Sequence, residues 1–257
     1  DVYVAGYESN NSFITVAKLW KNGTAKALSD GSQNARAYSV YVSGNDVYVA
    51  GFDDGKAVLW KNNDAAIALT DGSHTAYAYS VFVSGNNVYV VGNEYDAGRD
   101  VAKLWKDKVE QTLADADNTL ARSVYVSGND VVYVAGYKYD AATTTSTPVL
   151  WRNGIAQTLD YDATQNVFAT SVFVSDGNIY VAGYKSDMAT GRFTPILWTN
   201  GTEQTLPYDT QYNSIRATSV FVFDGDVYVA GDLSLWKNGE VQPLSGQAQS
   251  VFVVKRP

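Results

Sequence analysis

Arg36, Tyr77, Phe168 and Arg216 each stand three residues before a serine that opens the phrase Ser-Val-(Tyr/Phe)-Val. One residue before the same serine stand Tyr38, Tyr79 and Arg122, with Thr170 and Thr218 at two further copies. A second repeated phrase ends in Gly, and directly after it come Tyr7, Phe52, Asn93, Tyr137, Tyr184 and Asp232. Tyr, Phe and Arg stack on sugars or anchor a peptide. The competing reading is that these rings only cap the core between repeats. The candidate ligand-binding residues are therefore Arg36, Tyr38, Tyr77, Tyr79, Arg122, Phe168 and Arg216, with Tyr7, Tyr137, Tyr184 and Asp232.

Catalytic chemistry has less to stand on. His74 is the single histidine and lies in the turn-like Asp-Gly-Ser-His-Thr, so no Ser-His-Asp triad can be nominated, and no His-Glu-x-x-His pattern occurs. Glu8, Asp53, Asp54, Glu94, Asp96, Asp100, Asp140, Asp187 and Asp232 could supply an acid pair for glycoside cleavage, although loop Asp more often serves turn chemistry. The Asp-rich links at 28–32 and 114–118 suggest calcium by composition alone, because their spacing does not match an EF-hand loop. No other cofactor or metal is expected. Cys is absent, which excludes disulfides, thiolate metal sites and a Cys nucleophile.

These residues are positioned by a repeat that covers the whole chain. The serine of the first phrase falls at 39, 80, 123, 171, 219 and 250, and the Gly of the second at 6, 51, 92, 136, 183 and 231. A Trp follows each Gly, at 20, 60, 105, 151, 198 and 236. Every unit reads as four strands. The first is apolar, and Ser-Gly-Asn-Asp turns it into Val-Tyr-Val-Ala-Gly. A third strand ends in Leu-Trp, and Lys-Asn-Gly turns it into a short fourth. Asn-Gly supplies the paired positive φ angles of a two-residue hairpin. Four short strands per unit, six times over, predict an all-β fold, a six-bladed β-propeller of four-stranded antiparallel blades.

The expected blades are 39–71, 80–113, 123–159, 171–206 and 219–244 within a single domain, 1–257. The remaining blade combines 1–30 with the C-terminal strand 250–254, which would close the ring. Residues identical in every unit answer a need every blade shares, so the six Trp, the Tyr of Val-Tyr-Val and the repeated Ser are read as structural. Function belongs where blades differ, on the face carrying the second-to-third loops and the blade-to-blade links. The longest such loops, 137–148 and 184–195, neighbour the shortest, Asp232 to Ser234, which predicts a notch at the sixth blade.

The charge of −8 and pI near 4.6 argue against a nucleic-acid partner, and no apolar run is long enough to span a membrane. The chain begins inside a phrase, Asp-Val-Tyr-Val-Ala-Gly, which suggests a processed product with a targeting segment outside it.

The wording "SVFVSGNDVYVAGY … AKLWKNG … LTDG" resembles a group of repeat-rich bacterial proteins, often secreted or lipid-anchored and common in Bacteroidetes-like genomes. The resemblance implies an exported or cell-surface propeller and carries no activity or functional residues with it. The expected function is non-catalytic recognition or adhesion, with a glycan, peptide or protein bound on the variable face. A polysaccharide hydrolase or lyase, and a structural spacer in a surface assembly, are the alternatives.

Overall fold

The structure is a computed structural model describing residues 1–62, 64–209 and 214–253. Every regular element among them is a β-strand, and the strands form six sheets in chain order. The second sheet shows the pattern in full: Ala35–Ser43, Asp46–Asp53, Lys56–Lys61 and Ile67–Ala68 run antiparallel in sequence order. Four more sheets repeat this four-stranded meander, and the first has three strands, Tyr3–Ser9, Thr15–Lys21 and Thr24–Ala27. Two compact units divide the chain, 1–130 and 131–257.

The repeated phrases explain the meander. Ser43 pairs with Asp46 across Gly44, whose φ of 59° makes the tight turn. Lys21 pairs with Thr24 across Asn22 and Gly23, at φ 49° and 82°, the two left-handed residues of a type I′ turn. The Asn does more than bend the chain. Asn62 Oδ1 accepts from the Val47 N–H at 2.8 Å, and the Val47 carbonyl accepts from Asn62 N–H at 2.9 Å. Asn22, Asn153, Asn200 and Asn238 clamp the start of their own second strands in the same way. The repeated turn asparagine is thus a two-point tie between the outer turn and the middle of the sheet.

Successive sheets are joined by the repeated serine. The Val81 N–H donates to Ser39 Oγ and the Val124 N–H to Ser80 Oγ, both at 3.2 Å. In the second unit Val220 N–H donates to Ser171 Oγ and Val251 N–H to Ser219 Oγ. Aromatic rings follow the same sequence. Tyr41 meets Phe82 at 4.8 Å and Phe82 meets Tyr125 at 4.9 Å, while Phe221 lies 4.7 Å from Phe173 and 4.8 Å from Phe252. Residues 250–253 therefore occupy, beside the sixth sheet, the place that a first strand takes beside its predecessor. Val254, the end of the expected closing strand, lies outside the described residues.

The core sits between sheets. Trp60, Trp105, Trp151, Trp198 and Trp236 are fully buried. Trp60 packs among Ala17 and Leu19 of the first sheet and Ala35, Val47 and Val58 of the second. Trp236 Nε1 donates to the Pro207 carbonyl and Trp198 Nε1 to the Asp160 carbonyl, each at 2.6 Å, so the indole also fixes the preceding link. Third strands such as Lys56–Lys61 are buried along four consecutive residues because neighbours cover both faces.

Candidate functional site

In four sheets the candidate residues are set by a local irregularity at the start of the first strand. The pairing of first and second strands slips between Ala37 and Ser39, Ala78 and Ser80, Ala169 and Ser171, and Ala217 and Ser219. The extra residue of each β-bulge is Tyr38, Tyr79, Thr170 or Thr218, and a bulge re-aims its side chain. Opposite stands the repeated Gly. A Cβ on Gly51 would lie 2.1 Å from the Arg36 carbonyl oxygen, and one on Gly231 would lie 2.0 Å from that of Arg216. Gly lets the bulged backbone approach, so the repeated Ala-Gly and the residues before the serine belong to one device.

In the first unit the structure brings Tyr7, Arg36, Tyr38, Tyr77, Tyr79 and Arg122 into one row. The Arg36 guanidinium lies 4.8 Å from the Tyr7 ring centroid, and that of Arg122 lies 4.5 Å from Tyr79. Tyr38 and Tyr79 are 5.4 Å apart; Tyr77 stacks nearly parallel to Tyr79 at 5.8 Å and on Phe52 at 4.9 Å. Burial raises the phenol pKa of Tyr38, opposed by the charge of Arg36, and burial likewise raises that of Tyr79, opposed by Arg122. Tyr7 is 47% exposed. Asn93, buried where the other first-unit blades carry Tyr7 and Phe52, donates through Nδ2 to Asp100.

Asp100 is pushed above the ordinary carboxylate range by burial, against the pull of the Asn93 hydrogen bond and the Arg122 charge. A carboxyl whose folded pKa is raised favours the folded state while protonated and loses that contribution as pH rises through the folded value. Asp100→Asn is therefore expected to raise the melting temperature at pH 7. The gain should fall away as pH drops below about 4, where the wild-type carboxyl becomes protonated in both states. Thermal melts across that range check both the sign and the pH dependence.

In the second unit Tyr137, Phe168, Tyr184, Arg216 and Asp232 come together. Phe168 stacks on Tyr184 at 4.8 Å and meets Tyr137 edge-on at 4.9 Å. Phe193 joins from the fifth sheet's long hairpin, 5.2 Å from Tyr184 and 5.7 Å beneath Arg216. Asp232 is buried and accepts from Arg216 Nε at 2.7 Å, which raises the guanidinium pKa. The hairpin there closes at once, with Gly231 paired to Ser234, whereas the fifth sheet's hairpin runs on to Ser186 and Phe193. That step is the local form of the expected notch. Thr170 and Thr218 donate to the carbonyls of Ala182 and Ala230 and of Ala217 and Ala248, so there the bulge side chain serves the fold.

Most of the face carboxylates are engaged. Glu8 contacts Lys18, Glu94 contacts Lys103 and Asp96 contacts His74, while Asp140 and Asp187 accept from backbone N–H groups of their own turns. Asp30 and Asp71 do the same for Ser32 and Ser73, which accounts for the Asp-rich link at 28–32 by turn chemistry. Asp53 is different. Together with Asp30, Asp54 and Lys56 it lines a cavity of about 510 Å³. Its carboxyl is raised by burial and then by Asp30 and Asp54, while hydrogen bonds from Ser32 lower that of Asp30.

No family model matches the chain, and no curated protein does. Solved structures resemble it at the level of fold. The β-propeller domain of the trilobed protease from Pyrococcus furiosus, described as having an open velcro topology, aligns with a TM-score of 0.56 and 12% identity, over 98% of this chain and 81% of that one. A nidogen/laminin complex structure aligns at 0.53 and 9% identity, over 93% of this chain and 92% of that one. The Pyrococcus horikoshii acylaminoacyl peptidase aligns at 0.53 and 15% identity over 95% of this chain, which spans only 43% of the peptidase. Identities this low carry the architecture alone. Six antiparallel sheets of repeated sequence and these likenesses make the chain an all-β protein of six propeller blades.

Proposed function

We propose that the chain is a non-catalytic recognition module, exported or displayed at a bacterial surface, that binds a glycan through its two aromatic and arginine clusters. The observation that carries this reading is the bulge, which turns Tyr38 and Tyr79 out of the repeat and into rows of stacked rings flanked by Arg36 and Arg122. Rings held against one another offer flat faces at little cost in conformational entropy. A glycan-array screen of the chain tests this. Tyr7→Ala and Tyr184→Ala are expected to weaken binding at the first and second clusters by tenfold or more. The exposed Tyr7→Ala should leave the melting temperature nearly unchanged, while Tyr184→Ala should lower it modestly through its lost contacts with Phe168 and Phe193. Unchanged binding in both variants would overturn the proposal. Arg216→Ala is unsuitable, because it strands the buried Asp232 without its cation.

One observation favours a second reading, a polysaccharide hydrolase. Asp53 and Asp30 line one cavity with their pKa values moved in opposite directions, the disposition of an acid and its ionised partner. Assaying the glycans that bind for newly released reducing ends separates the two readings.

A further inference from the structure

The two clusters share shape but differ in charge. In the second, Arg216 is held by the buried Asp232, so its cation is already answered. In the first, neither Arg36 nor Arg122 forms a carboxylate ion pair among the described residues. Asp100 reaches Arg122 only through its longer-range charge, and its own burial favours the neutral carboxyl. Two unanswered guanidinium groups beside four tyrosine rings are conspicuous in a chain whose net charge is −8.

Resting on the recognition reading above, we infer that the first cluster binds an acidic saccharide, a glycan bearing uronic-acid carboxylates. A guanidinium presents parallel donors that match a carboxylate at two points, and charge-assisted bonds of this kind are about twice as strong as neutral ones. Tyr7 and Tyr38 supply what the rest of a pyranose needs, apolar faces for its C–H groups and hydroxyls for its polar edge. Arg36 lies over the Tyr7 ring at 4.8 Å from its centroid, so its fork is held beside that ring before the ligand arrives. Arg122 is held in the same manner over Tyr79. The second cluster, with its charge neutralised internally, has no such preference.

Titration calorimetry of the whole chain with tetragalacturonate, and with the same oligosaccharide after reduction of its carboxyls to alcohols, tests the inference. The acidic form is expected to bind at least about tenfold tighter, one charge-assisted contact's worth. Added salt should narrow the gap. Arg36→Gln with Arg122→Gln should abolish the preference, and Tyr184→Ala in the second cluster should leave it intact. If the double variant does not fold, the exposed Arg36→Gln alone is expected to cut the preference severalfold. Equal affinity for the two forms, a preference that survives in the arginine variants, or binding of neither form would overturn the acidic specificity. Glycan-array binding that Tyr7→Ala or Tyr184→Ala weakens would in each of those cases leave the recognition reading standing.

Discussion

Trp236→Ala is expected to lower the free energy of unfolding by about 3–5 kcal/mol, the range for truncating a buried large side chain. The indole is fully buried between two sheets, against Ala182 and Leu197 of one and Ala217, Val220 and Val229 of the next, with Leu206 and Ile215 of the link above it. Alanine would leave a cavity that neighbours anchored in two hydrogen-bonded sheets are poorly placed to fill. It would also orphan the Pro207 carbonyl, whose partner is the indole N–H. Trp20 supplies the comparison, since it is only partly buried in the middle strand of the three-stranded first sheet, and Trp20→Ala should cost less. Urea unfolding of both variants measures the difference. Equal losses would show that the buried tryptophans are not the ties between blades.

Gly92→Ala is expected to cost about 1–3 kcal/mol or more, as overpacking does where nothing nearby can yield. Its new methyl would stand 1.7 Å from the Tyr77 carbonyl oxygen and 3.0 Å from the Ala78 Cα, all backbone atoms of the bulged first strand. The strand pair would have to open, which carries Tyr77 out of its stack with Phe52 and Tyr79. Stability and binding at the first cluster should therefore fall together. At Gly6 the nearest atom to an added Cβ is the edge of the Trp20 ring, at 3.1 Å, so Gly6→Ala should be much milder. Paired thermal melts and glycan titrations decide the matter, and a Gly92→Ala protein of wild-type stability would contradict the close approach.

Repetition made the architecture legible. Asn-Gly turns in four units, with an apolar first strand and a tryptophan recurring throughout, named four strands per sheet, and the structure places the repeated Gly opposite a bulge, where the two backbones approach closely. The bulge itself was not legible. Small buried Ala35 and Ala37 alternate with Arg36 and Tyr38 as in any strand, and the slip after Ala37 leaves no mark in that alternation. The candidate residues were found because they vary at constant offset, yet their partition into a cationic row and a neutralised cluster depends on pairing. Arg216 meets Asp232 because Ala217 pairs with Gly231, a consequence of register. Phe193 was missed for a related reason. It reaches Tyr184 and Arg216 only through the fold-back of the long fifth-blade hairpin, and no other blade has an equivalent residue. Asn93 did carry a hint, as a polar residue where Tyr7 and Phe52 stand in the neighbouring blades.

The bulges carry a consequence for how such a molecule changes over time. At four of them the backbone is the same while the side chain is Tyr38, Tyr79, Thr170 or Thr218. At Tyr38 and Tyr79 glycine opposite and serine beside do the structural work, so these two bulges are sockets whose occupant the fold does not dictate, whereas Thr170 and Thr218 also tie down carbonyls of their own and the next segment. A single codon exchanged there rewrites what the rim displays without touching the tryptophan core. Duplication of one blade brings a new socket with it. Specificity can drift rapidly across such a protein while its stability stays where it was.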